Sequence, residues 1–236
     1  MRMSAVPAHR LAPLAALLLA IVVPARALTA EDFSEAERAL FITNHLADLH
    51  PPATLRYSYR KSGSLEDGFD DAVTVALRAQ PDGSCCTASA QFLSGPRRQN
   101  LPEVESAQGN PVILYFLERD IHEMQRLTKG QHNYFRKRIR MAVERGATVR
   151  EVKLSWRGRS VAGREIAISP YLDDPLRARF EKLADKQYVF TLSEAVPGRV
   201  YSIRTRIGGA SADAAPLIVE EMRADGAAPA TAPRQP

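Results

Sequence analysis

The chain has few of the features on which sequence motifs for chemistry are built. Its 236 residues include two cysteines, Cys85 and Cys86, which are adjacent, without a CxxC spacing or a nearby histidine. That pattern supports neither a redox dithiol nor a soft-metal pair. Because successive strand side chains point to opposite faces, two unconnected thiols are expected there. A GxSxG nucleophile elbow is missing, and Gly208-Gly209 does not follow the pattern of a phosphate loop. His122-Glu123 opens like the zinc-protease helix motif, but Arg126 stands where the second histidine belongs. A guanidinium is not a metal ligand, so that reading is excluded. Long apolar runs are also scarce. The longest is residues 11–23, 13 residues with Pro13 inside, against the roughly 20 needed to span a bilayer.

What is present at the start has the form of a secretory signal. Arg2 and Arg10 precede the apolar run, Pro24 breaks it, and Ala25-Arg26-Ala27 offers small residues for cleavage after Ala27. Residues 1–27 are therefore expected to be removed, leaving a periplasmic or secreted chain with no membrane span. No cysteine follows the cleavage point to carry a lipid. Removal also changes the charge. The chain has 32 basic and 27 acidic residues, and three of the arginines lie in residues 1–27 with no acid beside them. The remainder carries 29 against 27, a net charge of +2, which gives no reason to expect a nucleic-acid partner.

Periodicity organises the rest. Thr29 with Asp32 reads as a helix start, followed by Phe33, Ala36, Leu40 and Phe41 at helical spacing over residues 31–42. Leu55, Tyr57 and Tyr59 alternate with polar residues, Val73, Val75 and Leu77 share a strand face, and residues 84–94 form a third strand. Asn110-Pro111 starts a helix with Ile113, Leu114, Phe116, Leu117, Ile121, Met124 and Leu127 on one wide face, and Gly130 is expected to stop it. A second helix spans residues 131–144. Strands over 149–156 and 160–169 flank Arg157-Gly158-Arg159, and Asp174 caps a short helix. A last hairpin uses residues 188–192 and 200–207, and residues 217–222 read as an edge strand. From Ala224 to Pro236 the Ala/Pro-rich composition predicts disorder. The order implies one α+β domain over residues 28–223: a curved antiparallel sheet, half-barrel-like, with helices against its concave face.

Three strings carry a resemblance. Leu65-Glu66-Asp67-Gly68-Phe69-Asp70-Asp71, Gly109-Asn110-Pro111-Val112-Ile113 and Leu192-Ser193-Glu194-Ala195-Val196-Pro197-Gly198 together resemble an uncharacterised family of secreted proteobacterial proteins. The resemblance covers most of the mature chain and brings no activity with it. The layout is also similar to the half-barrel periplasmic carriers of the lipoprotein-carrier type. That likeness implies a curved sheet and helices around an apolar cavity, although fold does not fix function.

Candidate residues cluster on the two central helices. Asp120 falls inside the apolar face of the first, and a buried carboxylate must be paired or protonated. His132 lies on the Phe135–Ile139 face of the second, with Arg138 beside it, so an Asp120–His132 or Asp120–Arg138 lock is expected. Glu118 and His122, four apart, offer two metal ligands but no third, and read as a solvated ion-pair face beside Arg119 and Arg126. Lys129, Arg136, Lys137, Arg138, Arg140 and Arg145 make the second helix basic. Arg136 and Arg140 are the expected contacts to an anionic lipid group. Glu66, Asp67, Asp70 and Asp71 lack the spacing of a calcium loop and read as a solvated acidic turn. No cofactor or metal is expected.

Three functions fit these residues. The favoured one is a non-enzymatic binding or carrier protein for a lipid or other apolar ligand, which predicts an apolar cavity between sheet and helices. A carboxylate-based envelope hydrolase predicts a polar cleft holding two acids. An assembly accessory with an envelope protein as partner predicts a filled core.

Overall fold

The computed structural model describes residues 33–211 and 213–228. The expected signal peptide, the Thr29–Asp32 helix start and residues 229–236 of the tail lie outside the described residues. The helix seen here starts later. Ser34 caps α1 (Glu35–Glu37) in a reciprocal capping box with Glu37, and α1 runs on into a π turn over Arg38–Ile42.

Eight strands form one antiparallel, curved sheet that does not close into a barrel, and three helices complete the α+β fold. They are β1 (Ala53–Ser62), β2 (Phe69–Ala79), β3 (Cys85–Phe92), β4 (Thr148–Trp156), β5 (Arg159–Ile168), β6 (Gln187–Leu192), β7 (Val200–Ile207) and β8 (Ile218–Ala224). Their order across the sheet is β3-β2-β1-β8-β7-β6-β5-β4. The expected edge strand is thus the central one. β8 pairs with β1 on one side and β7 on the other, and it ties the early meander to the late one. Glu220-Glu221 weakens its apolar signal, yet Ile218, Glu220, Met222 and Ala224 all face inward and are buried.

Between β3 and β4 the chain inserts α2 (Val112–Thr128) and α3 (His132–Arg145). Asn110 begins α2 as expected, its Oδ1 accepting the Val112 N–H at 3.1 Å. At the other end Lys129, not Gly130, takes the left-handed conformation, with φ 58°. Gly130 makes room instead: a Cβ there would lie 2.6 Å from the Phe135 ring. The β4–β5 hairpin closes through Arg157 and Gly158, both with positive φ, as the two-residue type I′ turn requires.

Two further expectations are corrected. Cys85 and Cys86 are joined to each other in a disulfide. Strand alternation does not apply at this point, because the β2–β3 register shifts beside Ala79. The chain also stays ordered past Ala224. Ala227 bridges Trp156, and the Ala228 N–H donates to Ser155 O at 3.2 Å.

Candidate functional site

The stripe of α2 that faces the sheet is not purely apolar. Phe116, Arg119, Asp120, Glu123, Met124 and Leu127 recur at spacings of three and four, which puts three charged side chains on the inward side. Each meets an opposite charge brought by a different part of the chain. Lys186, which immediately precedes β6, donates from Nζ to Asp120 Oδ1, and Tyr188 donates to Asp120 Oδ2 at 2.6 Å. Tyr171 lies against the same hydroxyl at 3.2 Å. Arg119 Nη1 donates to Glu220 Oε1 of β8 at 2.8 Å, with its guanidinium over the Tyr59 ring. Lys61 of β1 donates to Glu123 Oε1 at 2.7 Å and to Glu66 Oε2 at 2.6 Å, and Arg126 closes the circuit onto both glutamates. Lys61, Arg119, Arg126 and Lys186 thereby balance Glu66, Asp120, Glu123 and Glu220.

Register explains how the strands deliver their share. Lys61 and Glu220 are cross-strand partners in the β1–β8 pairing. Lys61 continues the inward face of Leu55, Tyr57 and Tyr59 by one more step of two. The sequence reading stopped at Tyr59 because a lysine ends an apolar alternation.

The environment sets the protonation. Burial pushes the Asp120 carboxyl above its usual range, and the nearby Glu220 charge adds to this, against the pull of Lys186 and Tyr188. Glu123 goes the other way: burial would raise it, but hydrogen bonds and charge from Arg126 and Lys61 hold it well below the carboxylate range. Glu66 is lowered in the same manner by Lys61 and Arg126. Asp120, Lys186 and Glu220 are at most 1 % exposed, so no substrate reaches them. Their arrangement can lock a helix to a sheet, and it cannot turn over a soluble molecule.

The expected Asp120 contacts are therefore not the ones formed. Asp120 pairs with Lys186, 66 residues away in sequence, and not with His132 or Arg138. Arg138 Nε instead lies 2.9 Å from Asp174 Oδ2 and donates to Pro170 O. His132 Nε2 sits 3.3 Å from Glu118 Oε2, and its ring lies 4.6 Å from the His122 ring, centroid to centroid. Arg136 donates to both Glu118 oxygens, at 3.0 and 2.8 Å. Arg140 is exposed and makes no ion pair among the described residues. The acidic turn is only partly solvated: Glu66 belongs to the buried circuit, Asp70 pairs with exposed Arg60, and Asp71 accepts from the Ser94 N–H.

A second polar knot joins two of the three strings singled out in the sequence. Asn110 Nδ2 donates to Tyr57 Oη at 2.8 Å and to Gly198 O at 2.9 Å. The Asn110 N–H donates to His45 Nδ1, whose Nε2 faces Ala39 O at 2.8 Å. Gly198 has φ 71°, and a Cβ there would lie 2.6 Å from Leu55, so the site admits only glycine without rearrangement. Burial keeps His45 neutral by pushing its pKa down.

Between sheet and helices, where an apolar cavity was expected, large side chains are buried, and neither groove described below lies there. Tyr59, Phe116, Phe135, Tyr171, Tyr188 and Phe190 are among them, all fully buried. Open space lies at the periphery. A groove of about 530 Å³ runs between the π turn and the β5–β6 end, lined by His45, Glu151, Arg164, Glu194 and Arg199. Another, of about 510 Å³, lies where the end of α3 meets β5 and β6. Met141, Ala142, Ala167 and Val189 give it an aliphatic lining, and Arg138 and Arg145 supply charge. Among the described residues no helix is long and apolar enough to cross a membrane.

No family model and no curated protein matches the chain. Among solved structures, the chain is similar to the lipoprotein LppX of Mycobacterium tuberculosis, at 7 % identity and a TM-score of 0.32. That match covers 75 % of this chain and 87 % of LppX.

Proposed function

We propose that the protein is a non-enzymatic binding protein of the bacterial envelope that holds an anionic amphiphile in the groove between α3 and β5–β6. The observation that carries this reading is the groove's mixed lining. Met141, Ala142, Ala167 and Val189 offer an aliphatic bed, and Arg138 and Arg145 stand beside it. Its volume of about 510 Å³ suits a small ligand, for which sites of roughly 300–1,000 Å³ are usual. An acyl chain lies along the aliphatic bed while its acidic head meets Arg145. The Arg145 side chain is 71 % exposed and, among the described residues, pairs only with its sequence neighbour Glu144, so it is the more available of the two. Arg138 is already engaged by Asp174 and Pro170. Exposed Leu172, also in the lining, adds apolar surface to the groove. Export rests on the pattern of residues 1–27, and the likeness to secreted proteobacterial proteins supports the same address.

In this reading the ligand lies in a peripheral groove, outside the buried aromatic core. Titrating the mature protein with a fluorescent fatty acid and with its uncharged alcohol analogue tests the reading. Saturable binding of the acid, weaker binding of the alcohol, and loss of the difference in Arg145→Glu support it. Equal binding of both probes, or none, sinks it. The buried aromatic core favours one second reading, a rigid assembly accessory whose partner is an envelope protein. That reading gains if neither probe binds.

A further inference from the structure

We infer that Glu118, His122 and His132 form a binding site for one divalent transition-metal ion of the zinc class, bridging α2 and α3. Glu118 and His122 are one helical turn apart on α2, which places their side chains on the same side. The third ligand comes from the neighbouring helix: His132 is the first residue of α3, across the short Lys129-Gly130-Gln131 turn. One ligand atom from each of the three lies within 4.8 Å of the others. The separation of His132 Nε2 from Glu118 Oε2 is 3.3 Å. Two ligands of a tetrahedral zinc ion, each about 2.0–2.1 Å from the metal, stand about 3.3 Å apart. That pair is thus already at coordination spacing, and a His122 ring nitrogen lies within 4.8 Å of both.

An independent observation points to a missing partner. His132 Nε2 is buried and has no hydrogen-bond partner; its approach to Glu118 lacks hydrogen-bond alignment. Buried ring nitrogens are ordinarily satisfied, and a metal ion at this point would satisfy this one. Two histidines and one glutamate make a recognised zinc donor set, which leaves a fourth position for water or an anion. Arg136 is the competitor. Its guanidinium holds both Glu118 oxygens, but the side chain is 51 % exposed and can swing away. The expected loss of ion-pair geometry at Arg136 on metal binding makes that residue a second handle on the site.

None of the three residues belongs to the buried core, so their variants test binding with the core intact. Isothermal titration of the full mature chain with Zn²⁺ is expected to give one ion per chain. His122→Ala and His132→Ala should each weaken it by at least about tenfold, the cost that even an outer-shell partner's removal can carry. Arg136→Gln should tighten it, because the carboxylate loses its competing cation. Circular dichroism of each variant confirms that the fold is kept. No binding at micromolar Zn²⁺, or affinity unchanged in His132→Ala, would overturn the assignment.

Discussion

Towards the sheet α2 presents charges, whereas α3 packs through aromatic rings against the segment that joins β5 to β6. Arg119, Asp120 and Glu123 of α2 each meet an oppositely charged residue from β8, from the start of β6 or from β1. Phe135 of α3 instead packs against Tyr171 and Phe180, with ring centroids 5.7 and 5.6 Å away. The two helices lie side by side over one sheet, so the difference is in chemistry and not in depth. Aromatic burial stabilises directly through area and ring geometry. Buried ion pairs are different: desolvation offsets most of their attraction, and their main effect is to make wrong pairings costly. On this account α3 supplies adhesion, and α2 supplies a unique seat on the sheet.

That contrast can be broken by substitution. Lys186→Met leaves Asp120 buried with Tyr188 as its only donor, and should cost about 3–5 kcal/mol in urea unfolding. Adding Asp120→Leu to it should restore most of the loss, because no charge is then stranded. Phe135→Ala should cost about 3–4 kcal/mol through its cavity, and no single partner change should rescue it. A double variant as unstable as the single would erase the distinction between the two helices.

Acid titration sharpens the same contrast. Glu123 and Glu66 have folded values depressed below the ordinary 4.5. Their contribution is therefore complete above that value and is lost as pH falls through the depressed folded values. Asp120, raised by burial, acts with the opposite sign above its ordinary 3.8. Melting temperatures followed from about pH 6 to about pH 3 should fall, and Glu123→Gln should flatten that slope. An unchanged slope in Glu123→Gln would mean that the circuit contributes nothing to acid sensitivity. The smallest effect is expected at the edge of the α3 region. Ser34 caps α1 and donates from Oγ to Val143 O at 3.2 Å, so Ser34→Ala should cost about 1 kcal/mol in the same unfolding assay.

The strand faces of β1 and β2 and the apolar stripe of α3 were readable in the sequence, because period two and period 3.6 survive unbroken at Leu55–Tyr59, Val73–Leu77 and Phe135–Val143. What escaped was whatever a charge interrupts. Lys61 and Glu220 ended or weakened an alternation that in fact continues. Asp120 was placed correctly in a buried face, but its partner Lys186 lies 66 residues away, and no local pattern names a partner at that distance. Arg119 was read as solvated because a guanidinium usually is; here Glu220 and the Tyr59 ring receive it. The Glu118–His122–His132 cluster escaped for a related reason, since His132 belongs to the next helix.

The most direct measurement is native mass spectrometry of the protein isolated from expressing cells, with organic extraction of whatever it carries. The account predicts a defined acidic amphiphile on the wild type, absent from Arg145→Glu. A clean apo mass for the wild type under mild conditions, or an amphiphile equally retained by Arg145→Glu, would contradict it.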